Sequence, residues 1–215
     1  SGLFFNQVMP SSVGGDVIRG YYLKKWGMSL ESAALGVLMD RLFGILGLTL
    51  LVLTQLSFLF DILNDTSAQS GVIIIAISVT SGLAFLFFTD KLPGNFAHFR
   101  IIKGFYSLSK NARRCISDSY KGLSIIIISI IIHLFSVFAV MAISNGLGLN
   151  IDWRGLLLII PIVTLIMVIP ISIAGWGIRE GVMVVGLSYL GVSSEAALVL
   201  SVLYGLSILF VSLPG

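Results

Sequence analysis

The sequence predicts an all-α fold, a polytopic transmembrane helix bundle with two repeated re-entrant or broken helix elements. Three observations point there. Hydrophobic residues make up 57% of the chain and charged residues 11%, with a mean hydropathy of +1.05. A water-soluble domain carries about 25% charged residues, so this surface must meet something other than water. Uncharged apolar runs also recur at the length needed to cross hydrocarbon roughly 30 Å thick, which is about 20 residues at about 1.5 Å each. Finally, two stretches rich in Pro, Gly and Arg resemble one another near opposite ends of the chain.

The spans follow in order. Leu42 to Phe60 carries no charge, with Asp40 and Arg41 at its start, and Ser70 to Thr89 is the next such run. Gly122 to Ile151 is uncharged with His133 inside it, Gly155 to Ile178 is interrupted by Pro161 and Pro170, and Ala196 to Gly215 closes the chain. Four full spans and a fifth, broken one are expected, all within a single transmembrane domain covering residues 1–215. The start at Ser1 without an initiator Met suggests a piece of a longer protein. The single Cys115 excludes an internal disulfide.

The net charge is only +3, but the basic residues are concentrated. Residues 90–121 hold Lys91, Arg100, Lys103, Lys110, Arg113, Arg114 and Lys121, whereas residues 61–69 hold only Asp61 and Asp65. Cytoplasmic loops are enriched in Lys and Arg, so the 90–121 loop is expected inside a cell (inner) membrane and 61–69 outside. Arg19, Lys24 and Lys25 place the segment before the first span inside as well. Phe99, Ile102, Phe105, Leu108, Ala112 and Ile116 recur at helical spacing between the bases. That pattern fits either an amphipathic helix on an anionic leaflet or a solvated basic loop. Nucleic acid is a poor partner for bases beside spans.

The repeat pairs PSSVGGDVIR, residues 10–19, with PISIAGWGIR, residues 170–179. Gly27, Ser29 and Glu31 then match Gly191, Ser193 and Glu195, so the elements cover about 10–35 and 170–198. Proline and paired small residues favour breaks and tight turns. Broken apolar segments at corresponding positions of two halves are a pointer to a transporter's binding site. Span counting favours a parallel pair. Ser29 and Ser193 or Ser194 read as caps of the helices that follow, with Glu31 and Glu195 in their first turns.

Charges within spans are costly and tend to be paired or functional. Asp16, Arg19, Asp40, Arg41, Arg179 and Glu180 are expected to converge on one polar cavity, where arginines would meet a phosphate, or else to hold broken helices together as ion pairs. His133 is open to a proton relay or an interhelical hydrogen bond. Trp26 and Trp153 suit an interfacial aromatic belt, and Trp176 could line the cavity. No nucleophile motif, phosphate-binding Gly-Lys loop or paired metal-ligand cluster occurs, so the sequence evidence for catalysis is weak and no cofactor is expected.

FFNQVMPSSVGGDVIRGYYL (4–23), LMDRLFGILGL (38–48) and IAGWGIREG (173–181) followed by GVSSEAALVLSVLYGL resemble the lysylphosphatidylglycerol synthase transmembrane family. This flippase-like family includes the membrane portion of the multiple peptide resistance factor. The resemblance covers nearly the whole chain and implies that about two N-terminal spans precede it. It implies lipid handling, with membrane lipids as partners, and gives no support to aminoacyl transfer by this chain, in which nothing resembles the soluble transferase domain. By motif it marks Gly14, Gly15, Asp16, Arg19, Asp40, Arg41, Gly175, Gly177, Arg179 and Glu180 as substrate-binding, with Ala174 standing where the first copy has Gly14. The expected function is movement or binding of an anionic or modified phospholipid, or a polyprenyl-phosphate lipid, between leaflets. A scaffold for a lipid- or glycan-modifying enzyme and an intramembrane lipid-processing enzyme are the alternatives.

Overall fold

The computed structural model describes residues 14–62, 65–91, 100–168 and 175–213. Eight α-helices follow in order: α1 (Gly14–Lys25), α2 (Leu30–Ile62), α3 (Thr66–Phe88), α4 (Arg100–Ser117), α5 (Ser119–Gly146), α6 (Trp153–Met167), α7 (Ile178–Ser188) and α8 (Ser194–Ser212). A short 3-10 turn, Thr89–Lys91, follows α3. Four helices (α2, α3, α5 and α8) are long and apolar enough to cross a membrane, and α6 is a shorter apolar helix. The expected all-α polytopic bundle is therefore what the chain forms. Pro10, Ser12, His98, Phe99, Pro170 and Ser172 lie outside the described residues.

Several boundaries differ from the expected ones for identifiable reasons. Helix α2 starts at Leu30 and passes straight through Asp40 and Arg41, because α1 supplies ionic partners for both. Pro161 sits inside α6 and does not end it. The loss of one helical N–H there is tolerated in a helix enclosed by its neighbours. Helix α5 stops at Gly146, ahead of Gly148 with φ +70°. Gly14 and Gly15 lie in the first turn of α1, so the tight turn expected of them is absent, whereas Gly175 and Gly177 do adopt positive φ of 80° and 85°.

The caps fall where the sequence puts them. The Ser29 hydroxyl accepts from the Ser32 amide at 3.1 Å ahead of α2, and the Ser193 hydroxyl accepts from the Ala196 amide at 3.3 Å ahead of α8. Each satisfies an amide that has no partner within the first helical turn.

Helix α6 forms the centre. Leu156, Leu158, Ile159, Ile160 and Val163 are buried among Val137 and Val140 of α5, Met183 and Leu187 of α7, Ala197 and Leu200 of α8, and Leu59 of α2. A helix apolar on every side belongs inside a bundle or in lipid, and α6 is inside. By contrast α3 and α5 turn Ile74, Ile77, Phe85, Ile128, Ile132 and Phe135 outward. Apolar exterior of this extent suits acyl chains. Polar links and a small residue join α2 to α5. Ser129 donates to the Phe43 carbonyl at 3.0 Å and His133 Nε2 lies 3.1 Å from the Gly44 carbonyl, while a side-chain carbon at Gly47 would stand 2.3 Å from Ser129 Oγ. His133 thus makes the interhelical contact of the two roles considered for it.

Contacts fix the helix directions. Helix α6 runs antiparallel to α2, since Leu165 packs with Leu48 and Val52 while Arg154 stacks on Phe58. Helix α7 runs back along α6: Leu190 covers Gly155, Ile159 covers Gly186 and Met167 covers Gly175. At about 22 Å and 16 Å, α6 and α7 are each too short to cross about 30 Å, and their paired ends make a re-entrant hairpin. Helix α8 then runs opposite to α7 and therefore opposite to α2. Span counting favours parallel repeats because it takes the segment near Pro170 as a crossing; the packing of α7 back along α6 makes them inverted.

Candidate functional site

Each repeat is a short helix folded back on a long one, with a glycine of positive φ in the connection: Gly27 (96°) between α1 and α2, Gly191 (75°) between α7 and α8. Left-handed backbone of this kind strains any residue bearing a Cβ, which explains glycine at both matched positions.

In the first repeat, Arg19 of α1 donates to Asp40 of α2 at 2.7 Å, and Arg41 of α2 pairs with Asp16 of α1. Four expected site residues are thus brought together as two cross-helix pairs. They differ in exposure: the Arg19 and Asp40 side chains are 48% and 60% exposed, whereas Asp16 is 12% exposed. Gly15 is buried and Gly14 partly so. Beside the pairs, α1 and α2 enclose a largely apolar groove of about 690 Å³, floored by Gly20, Ala33 and Ala34 and rimmed by Asp16, Lys24 and Arg41. This quartet stands about 15–17 Å along α2, directly before the uncharged run that begins at Leu42.

In the second repeat the arginine is enclosed. Arg179 is 1% exposed and donates to Glu180 Oε1 through Nε (3.0 Å) and Nη2 (2.6 Å). The other Glu180 oxygen accepts from the Gly177 amide, and the Ser201 hydroxyl approaches Oε1 at 3.4 Å. The guanidinium stacks 4.5 Å from the Trp176 ring and rests against Gly205, where a side-chain carbon would stand 2.1 Å from Nη2. Buried charge is tolerated only when paired and hydrogen-bonded, and the carboxylate here meets donors on both oxygens. Gly177, held at positive φ, aims its amide at that carboxylate. Gly175 turns the backbone beneath Met167.

The ionic partners thus lie within each repeat, giving two clusters where one shared chamber was expected. Ser201 and Gly205 were missed by motif reading. A signal existed: carrying the Gly27–Gly191 match forward sets Asp40 and Arg41 against Tyr204 and Gly205. The short-helix arginine therefore meets the long helix at the same register in both copies, which supports the repeat independently of the matched letters.

The whole chain, residues 1–215, matches the family described as the lysylphosphatidylglycerol synthase TM region. It is also similar to a UPF0104 membrane protein of Methanothermobacter thermautotrophicus, at 26% identity over 220 residues, covering 91% of this chain and 65% of that protein. No solved structure matches it. With a family match over residues 1–215 and four helices among the described residues long and apolar enough to cross a membrane, the chain belongs to the lysylphosphatidylglycerol synthase transmembrane-region family of membrane proteins.

Proposed function

We propose that this protein binds a phosphate-bearing lipid, an anionic or modified phospholipid or a polyprenyl phosphate, and moves its headgroup between leaflets of a cell (inner) membrane, with residues 90–121 cytoplasmic. The observation that carries this reading is the Asp16–Arg41 and Arg19–Asp40 quartet, its second pair exposed, beside an apolar groove. Arginine forks match phosphate oxygens and the groove takes acyl chain, while the neutral balance of the quartet lets it re-pair once the headgroup leaves.

Inverted repeats give transporters two related conformations in which the elements exchange roles. In this reading the first repeat stands open to headgroups and the second is closed. Arg179, released from Glu180, would receive the headgroup about 11–17 Å along α8, by the positions of Ser201 and Gly205. Gly14, Gly15, Gly175 and Gly177 allow the backbone rearrangement at the starts of α1 and α7.

The test is a leaflet-exchange assay in proteoliposomes with fluorescent phospholipid and dithionite quenching. Arg19→Gln/Arg41→Gln protein should insert normally and lose most of the protein-dependent exchange. Exchange equal to that of the unmodified protein would remove the headgroup site.

A further inference from the structure

The basic helix α4 plays no part in that site and presents a surface of its own. It carries Arg100, Lys103, Lys110, Arg113 and Arg114 and no acidic residue. Leu108 and Ala112 occupy the middle of its apolar face, buried against Leu42 of α2 and Leu83 of α3, and the buried Ser109 beside them donates to the Phe87 carbonyl and to Asp90. Arg113 is committed to Asp90, at 3.1 and 3.2 Å from the two carboxylate oxygens. Lys110 and Arg114 are exposed, and among the described residues neither makes an ion pair. The apolar face overhangs the bundle at both ends: Phe105 and Ile116 are 43% and 39% exposed, with Tyr106 beside them at 41%.

We infer that α4 is a docking surface for an anionic phospholipid leaflet, with Phe105, Tyr106 and Ile116 entering the acyl boundary and Lys110 and Arg114 engaging phosphates. The choice of occupant rests on continuity with the spans and on charge. Helix α4 lies between the end of α3 and the start of α5, where Phe88 and Tyr120 also stand exposed, so the acyl boundary reaches it without any further partner. Its charge is of one sign, complementary to an anionic surface. Packing on α2 and α3 holds its tilt, which a free amphipathic helix would have to find for itself.

The test uses the full chain with Cys115→Ser and a nitroxide at Phe105→Cys or Ile116→Cys, in nanodiscs of phosphatidylcholine alone or mixed with phosphatidylglycerol. Accessibility to oxygen and to a water-soluble nickel chelate is read by electron paramagnetic resonance. The labels should be shielded from the chelate in anionic discs, and shielding should fall in 1 M salt, where the screening length shrinks to about 3 Å. Lys110→Gln/Arg114→Gln should lower the ratio of inserted to free label about 25-fold, at about fivefold for each base near an anionic surface. A label at Phe135→Cys should not change and reports that the bundle is intact. Equal shielding in both lipids and in the double variant would overturn the inference. So would shielding that arises only when polyglutamate is added to phosphatidylcholine discs, which would assign the surface to an acidic protein.

Discussion

Arg19 and Arg179 hold matching places in the repeat under opposite electrostatic conditions. The Arg19–Asp40 pair is half-exposed, and such pairs contribute about 0–1 kcal/mol because water screens them and two long side chains must be ordered. Arg179 is enclosed, so removing its partner strands a charge away from water, at a cost of about 3–5 kcal/mol. Reversible unfolding in mixed micelles should therefore show Glu180→Gln losing several kcal/mol and Asp40→Asn losing no more than about 1. Similar losses for the two would contradict the placement of one pair inside and the other at the rim. Gly205→Ala should resemble Glu180→Gln, since its methyl falls on the guanidinium itself. The reading of Asp40 and Arg19 as functional then requires that their variants lose transport while keeping stability.

At the scale of elements, the connections between short and long helices depend on one glycine each. Gly191→Ala should destabilise the α7–α8 hairpin by about 1–3 kcal/mol, the cost of a left-handed residue bearing a Cβ, as measured by the same unfolding assay. An unchanged midpoint would mean that the turn relaxes to another conformation. The spans themselves were legible because hydrocarbon thickness dictates their length and composition, and the serine caps because their chemistry is local. The helix ends around Asp40–Arg41 were not, since a charged pair ends or continues a helix according to partners 21 and 25 residues away. The effect of Pro161 is not legible in the sequence for a similar reason: it depends on the neighbours that enclose α6. Of the candidate site, the charged residues were visible in the letters, but which arginine is buried depends on Gly205 and Trp176, and their contacts with Arg179 arise only on folding.

The whole molecule rests on the direction in which its two hairpins point. Counting apolar runs cannot separate a broken crossing from a re-entrant pair, because both present a long apolar stretch with a break in it. The contacts of α6 with α2 and α7 decide between them, and they set the α1–α2 and α7–α8 connections at opposite ends of the bundle. The proposed alternating exposure of a headgroup site by two related elements would use this inversion. Labelling single cysteines with a membrane-impermeant thiol reagent in sealed vesicles, on a Cys115→Ser background, tests it most directly. Trp26→Cys and Lys110→Cys should react from one side, and Asn150→Cys and Ser194→Cys from the other. Reaction of Trp26→Cys and Ser194→Cys from the same side would mean parallel hairpins and would contradict the account.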